Sequence, residues 1–185
     1  QTAYIIFNVD KPPFNDVRVR KAFALALNRK AICESALKGG ETPATGIVPP
    51  VLSLSTGESF RTLGKNGKPT TEYGIDPNAA RVEEAQKLLA EAGYPNGKGF
   101  PKVTYTYVTR ESLKKMSEAI QEMLKNNLNV KVELDNMEWQ VLVDKRKRGD
   151  FIISGGNWTG DYADPMTFFD AYATDSSWNE CQWRW

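Results

Sequence analysis

The chain is expected to form an α/β domain: a mixed, largely parallel sheet flanked by helices. Three observations carry that expectation. The second half alternates strand-like and helical stretches in the order strand, helix, strand, helix, strand. Each longer helical stretch carries one apolar stripe at spacings of three and four residues. A separate run rich in β-branched and aromatic residues opens the chain.

Thr2 to Val9 reads as the first strand, and Lys11-Pro12-Pro13-Phe14-Asn15 breaks it. Asp16 is a good helix N-cap, because its short carboxylate can accept an unpaired N–H of the first turn. Val19, Ala22, Phe23, Ala26 and Leu27 then form an inner stripe, with Arg18, Arg20 and Lys21 outside. A short helix from Arg29 to Leu37 is expected to end at Gly39-Gly40. Glu41 to Gly74 is rich in Pro, Gly, Ser and Thr and reads as a long loop. So long a connection is often functional; the plainer alternative is a surface excursion packed through Ile47, Val48, Val51 and Leu52.

Asp76-Pro77 predicts a helix start, with Val82, Ala85, Leu88, Leu89 and Ala92 inside and Gly93 closing it. Strands are predicted over 103–108, 130–134 and 151–154, and helices over 111–125 and 139–147. The first of these helices places Leu113, Met116, Ile120, Met123 and Leu124 inside. Such alternation implies parallel neighbours joined by right-handed crossovers.

The last strand feeds Gly155-Gly156-Asn157-Trp158-Thr159-Gly160-Asp161-Tyr162-Ala163-Asp164-Pro165. A glycine-punctuated loop here offers a flat apolar ring, a carboxylate and accessible backbone beyond the C-terminal end of a strand. That set suits a ligand with a cationic amine and its own amides. The same residues also read as a strand-to-helix turn, in which Asp164-Pro165 starts a helix and Trp158 fills the core. Asp161 and Asp164 make a poor catalytic dyad, since no nucleophile or base lies near them in sequence.

Two other motifs have plainer readings. Gly93-Tyr94-Pro95-Asn96-Gly97-Lys98-Gly99 lacks phosphate-loop spacing and follows a helix, so it reads as a turn. Lys145-Arg146-Lys147-Arg148 reads chiefly as cations at the negative pole of a helix.

With 185 residues the chain suffices for one domain with a proper core, and a net charge of +1 argues against nucleic acid as a partner. Histidine is absent, which removes the commonest general base and metal ligand, and no cofactor is expected. Cys33 and Cys181 form no CxxC pair and are read as structural. The strand-like start and the terminal Trp183-Arg184-Trp185 suggest a fragment of a longer protein.

Three separated blocks then bring a family into view. They are Phe7-Asn8 with Lys11 to Ala22 and Ala26 to Arg29; Gly46 to Pro50 with Glu84 to Tyr94; and Trp139 with Gly149 to Phe151 and Trp158 to Pro165. In their order and spacing the chain resembles the extracytoplasmic oligopeptide-binding proteins of ABC importers, the family 5 solute-binding proteins. The resemblance implies one lobe of a type II periplasmic-binding-protein-like fold, residues 1–185, separated from a first lobe. It implies a non-enzymatic receptor in the periplasm, or on the cell surface as a lipoprotein, delivering short peptides to permease subunits. Asp161 would pair with the peptide ammonium, the edge from Gly156 through Asn157 to Trp158 with its backbone, and Arg146 with its carboxylate. Gly155 and Leu113 stand where some members have a cation and a histidine, which leaves carboxylate anchoring open. A sugar or a metal chelate is the alternative ligand.

Overall fold

The computed structural model describes residues 1–53, 57, 60 and 75–181. Most of the predicted Glu41–Gly74 connection and the terminal Trp183-Arg184-Trp185 lie outside the described residues. Four strands form one sheet: β1 (Thr2–Phe7), β2 (Val103–Val108), β3 (Val132–Met137) and β4 (Ile153–Trp158), in the order β1-β4-β2-β3. β2 runs parallel to β3 and β4, while β1 lies antiparallel to β4. The sheet is therefore mixed and largely parallel, as the alternation predicts.

α1 (Val17–Leu25) starts where Asp16 accepts from the Arg18 N–H at 2.7 Å. α2 (Arg29–Ala31) is a single turn capped by Asn28, and it widens into a π-helix over Ile32–Leu37. Lys38, in the left-handed region at φ 59°, ends that helix before the predicted Gly39-Gly40 is reached. α3 (Val82–Glu91) begins later than Asp76-Pro77 suggests. The Asp76 carboxylate instead accepts from the Asn78 N–H at 2.8 Å, closing a local turn. α4 (Glu111–Leu128) extends one turn beyond expectation and buries Met116, Ile120, Leu124 and Leu128. α5 (Trp139–Lys147) is capped by Glu138, which accepts from the Gln140 and Val141 N–H groups.

One sheet face carries the main core. Val103 and Tyr105 of β2, Val132 of β3 and Ile153 of β4 pack with Ile120 and Leu124 of α4 and with the α1 and α3 stripes. An aromatic stack joins β1 to this core: Phe7 on Phe14 at 4.8 Å and Phe14 against Phe23 at 4.9 Å. Successive strand residues point to opposite faces, so Thr106 and Ser154 face the other way. That face meets α5, whose Arg146 bonds Ser154.

β4 departs from expectation by continuing through Gly155 and Gly156 to Trp158 instead of ending at Ser154. Its glycines are required by crowding. A Cβ on Gly155 would lie 2.6 Å from the Tyr105 hydroxyl oxygen, and one on Gly156 would lie 2.6 Å from Cε2 of Tyr4. The antiparallel partner β1, far away in sequence, sustains the strand where local propensity would have ended it.

Candidate functional site

β4 pairs with β1 along its whole length, from Ile153 opposite Phe7 to Trp158 opposite Thr2. Its pairing with β2 covers only Ile153 and Ser154. The two strands then part, leaving Gly155 to Trp158 with one unladdered edge. Strand geometry tells which groups face it. The Asn8 N–H donates to the Ile152 carbonyl at 3.0 Å, so even-numbered residues of this strand bond towards β1. Gly155 and Asn157 therefore turn their main-chain groups outward. The Gly155 carbonyl accepts from Nη2 of Arg146, and the next outward pair belongs to Asn157.

The chain leaves β4 through Thr159-Gly160 and reaches Asp161. Gly160 is tightly enclosed, since a Cβ there would lie 2.9 Å from Cγ2 of Thr167 on α6 (Met166–Phe169). The Asp161 N–H donates to the buried Thr167 hydroxyl at 2.9 Å. Its backbone is thus fixed while its side chain is exposed. Among the described residues no cation lies within ion-pair distance of the Asp161 carboxylate. Asp164 plays a different part: its Oδ1 accepts from the Met166 N–H at 2.8 Å, the helix-start role that its sequence position predicts. The Tyr162 hydroxyl donates to Asp170 at 2.7 Å, and that contact pushes the phenol above its usual pKa.

Trp158 is half-buried and meets Trp178 edge-on at 5.7 Å. It does not enter the main core. With Trp139, Tyr4 and Tyr172 it lines a shallow aromatic cavity beside β4. Burial pushes the phenols of Tyr4 and Tyr172 upward, so both rings stay neutral at physiological pH. The predicted set Gly156, Asn157, Trp158 and Asp161 is contiguous along one strand end, and the structure keeps it together.

Arg146 lies beneath the strand edge and is enclosed by the domain. The expectation that it offers a cation to a ligand carboxylate meets a guanidinium that is 3% exposed and already engaged. Nε donates to the Ser154 hydroxyl at 2.9 Å, Nη1 to Oε2 of Glu180 at 2.9 Å, and Nη2 to the Gly155 carbonyl. Sequence reasoning misses Glu180, which lies 34 positions from Arg146 in a tail without periodic pattern. The basic run around Arg146 also disperses. Lys145 approaches Asp135 at 3.9 Å, Lys147 sits 4.7 Å from the Trp178 ring centre, and Arg148 pairs with Asp150 at 3.2 Å. No disulfide joins Cys33 to Cys181.

Residues 1–180 match the family described as bacterial extracellular solute-binding proteins, family 5 Middle. The chain is similar to the dipeptide-binding protein DppE of Bacillus subtilis, at 36% identity over 96% of this chain and 31% of that protein. It is similar to the periplasmic oligopeptide-binding protein OppA of Escherichia coli, at 35% identity over 99% of this chain and 32% of that protein. Among solved structures, Haemophilus influenzae OppA in complex with RPPGFSPFR superposes with a TM-score of 0.82. Identity there is 32%, covering 98% of this chain and 34% of that one. The chain spans about a third of the length of the curated relatives it matches.

Proposed function

Because this chain belongs to the family 5 bacterial extracellular solute-binding proteins, we propose that it supplies the amine-anchoring half of a peptide receptor serving an ABC importer. One observation carries the reading. The unladdered edge of β4 leads within three residues from Trp158 to an exposed carboxylate that has no cationic partner among the described residues. A peptide laid along that edge pairs its own amides with the outward N–H and C=O of Asn157, as in strand addition. Main-chain pairing reads no side chains, so many peptide sequences are accepted. The ammonium at the peptide's start then falls to Asp161, and Trp158 provides an apolar wall.

A charge-assisted hydrogen bond of this kind contributes about 1.5–3 kcal/mol. The relatives named for peptides support the ligand class, and the periplasmic ones support a site of action outside the cytoplasm. The remainder of the receptor would enclose the ligand from the opposite side, with hinge closure biased by the bound peptide. Permease subunits are the expected downstream partners.

Titration calorimetry on the intact receptor tests this directly. A free-amine peptide should bind roughly ten- to a hundredfold more tightly than its N-acetylated form, the ratio that such a bond implies. Asp161→Asn should remove most of that difference. Equal affinity for the two peptides in the unmodified receptor would refute the assignment.

A further inference from the structure

The aromatic cavity beside β4 contains one buried ion pair, Arg146 with Glu180, at 3% and 8% side-chain exposure. We infer that Glu180 occupies Arg146 in place of a ligand carboxylate, so that the site recognises peptides by their amine end alone and is indifferent to whether their C-terminus is charged. The inference rests on the peptide-receptor reading above and specifies its ligand class.

Arg146 is placed where an incoming carboxylate could be read. It lies under the strand edge that would receive the ligand and bonds the Gly155 carbonyl on that edge. Its planar fork suits a bidentate anion. Three of its nitrogens are nevertheless committed, to Ser154, Glu180 and Gly155. A ligand carboxylate would have to expel Glu180 and leave that carboxylate buried without a partner, which is strongly unfavourable.

Glu180 is also held from both sides. Its N–H donates to the Trp178 carbonyl at 2.7 Å, and the next residue, Cys181, accepts from the Val9 N–H at 3.3 Å. Trp178 is in turn clamped between Trp158 and Lys147. No other cation of the basic run takes over. Lys145 faces Asp135, Lys147 faces the Trp178 ring, and Arg148 lies on Asp150. With the amine as the one charged end that the described residues of this lobe fix, the lobe measures no distance to the other end. Peptides of different lengths and C-terminally blocked peptides are then equivalent ligands.

The experiment uses the intact receptor and alanine peptides of two to five residues, each as free acid, C-terminal amide and N-acetyl acid. Acid and amide of one length should bind within about twofold of each other, while acetylation weakens both. In Glu180→Gln the guanidinium keeps its charge but loses its counter-ion, and the acid should gain about fivefold or more over the amide. A tenfold preference for the acid in the unmodified receptor would overturn the inference while leaving the peptide reading intact. So would equal binding of acid and amide in a folded Glu180→Gln variant. Binding of none of these peptides overturns the peptide reading, and this inference with it.

Discussion

Tyr105 and Gly155 share one volume, and each explains the other. Tyr105 is 1% exposed, and burial pushes its phenol up to about 12, so it is neutral at any physiological pH. Its hydroxyl occupies the space where a side chain at Gly155 would begin. Among the described residues that hydroxyl makes no well-formed hydrogen bond, and the neighbouring Ser117 hydroxyl donates instead to the Leu113 carbonyl at 2.7 Å. Removing it should therefore cost little: Tyr105→Phe is expected to leave stability unchanged or slightly raised in urea unfolding. Gly155→Ala should lose about 1–3 kcal/mol through overpacking. The double variant should recover part of that loss, because the colliding atom is gone. If Gly155→Ala costs the same with Phe as with Tyr at position 105, the contact is not the cause.

Helix starts show how far local chemistry alone determines structure. Asp16 is legible because cap, stripe and loop all agree, and the carboxylate also takes Arg18 at 2.6 Å. The hydrogen bonds from Arg18 hold the Asp16 carboxyl below its ordinary pKa. A depressed folded-state value means that this contribution is present above the unfolded pKa, near pH 4. It is lost as pH falls through the lower folded value. Asp16→Ala should lower stability by about 1 kcal/mol at neutral pH, with the difference from the parent shrinking in acid. A constant difference from pH 7 to pH 2, followed by chemical denaturation, would exclude the carboxylate as its source.

Asp76-Pro77 is equally persuasive in sequence, yet its carboxylate closes a turn around Asn78 and α3 starts at Val82. The signal is a true cap signal for the wrong structure, since the same side-chain bond serves an Asx turn. The alternating pattern starts the third strand at Val130, which is buried, but pairing with β2 begins at Val132. Burial is readable there; register depends on the partner. The glycines of β4 hide half a strand for a similar reason, because the strand is sustained by Tyr4 and its neighbours from the other end of the chain. Asp161, Trp158, Asn157 and Gly156 are legible as a contiguous stretch with matching chemistry. Glu180 is not, because only the folded tail brings it to Arg146.

Distant segments are sewn together by few groups, and Asn8 is the most economical of them. It is 1% exposed; its amide donates to the Gly149 carbonyl at 3.0 Å and to the Phe151 carbonyl at 3.2 Å, and its Oδ1 accepts from the Asp10 N–H at 3.1 Å. Asn8→Ala would strand those carbonyls and should cost about 2–3 kcal/mol. Contacts between residues 141 positions apart are expected to form late, after the local helices. The loss should therefore appear mainly as faster unfolding, with refolding nearly unchanged, in stopped-flow measurements. A refolding rate that falls in proportion to the stability lost would place Asn8 in the nucleus instead.

The position of β1 beside β4 has a consequence for the order in which the sheet assembles. The strand that would hold the ligand owes one flank to Thr2–Phe7, which the ribosome delivers long before Ile153–Trp158. Until the ribosome has released both, an early apolar segment waits without a companion.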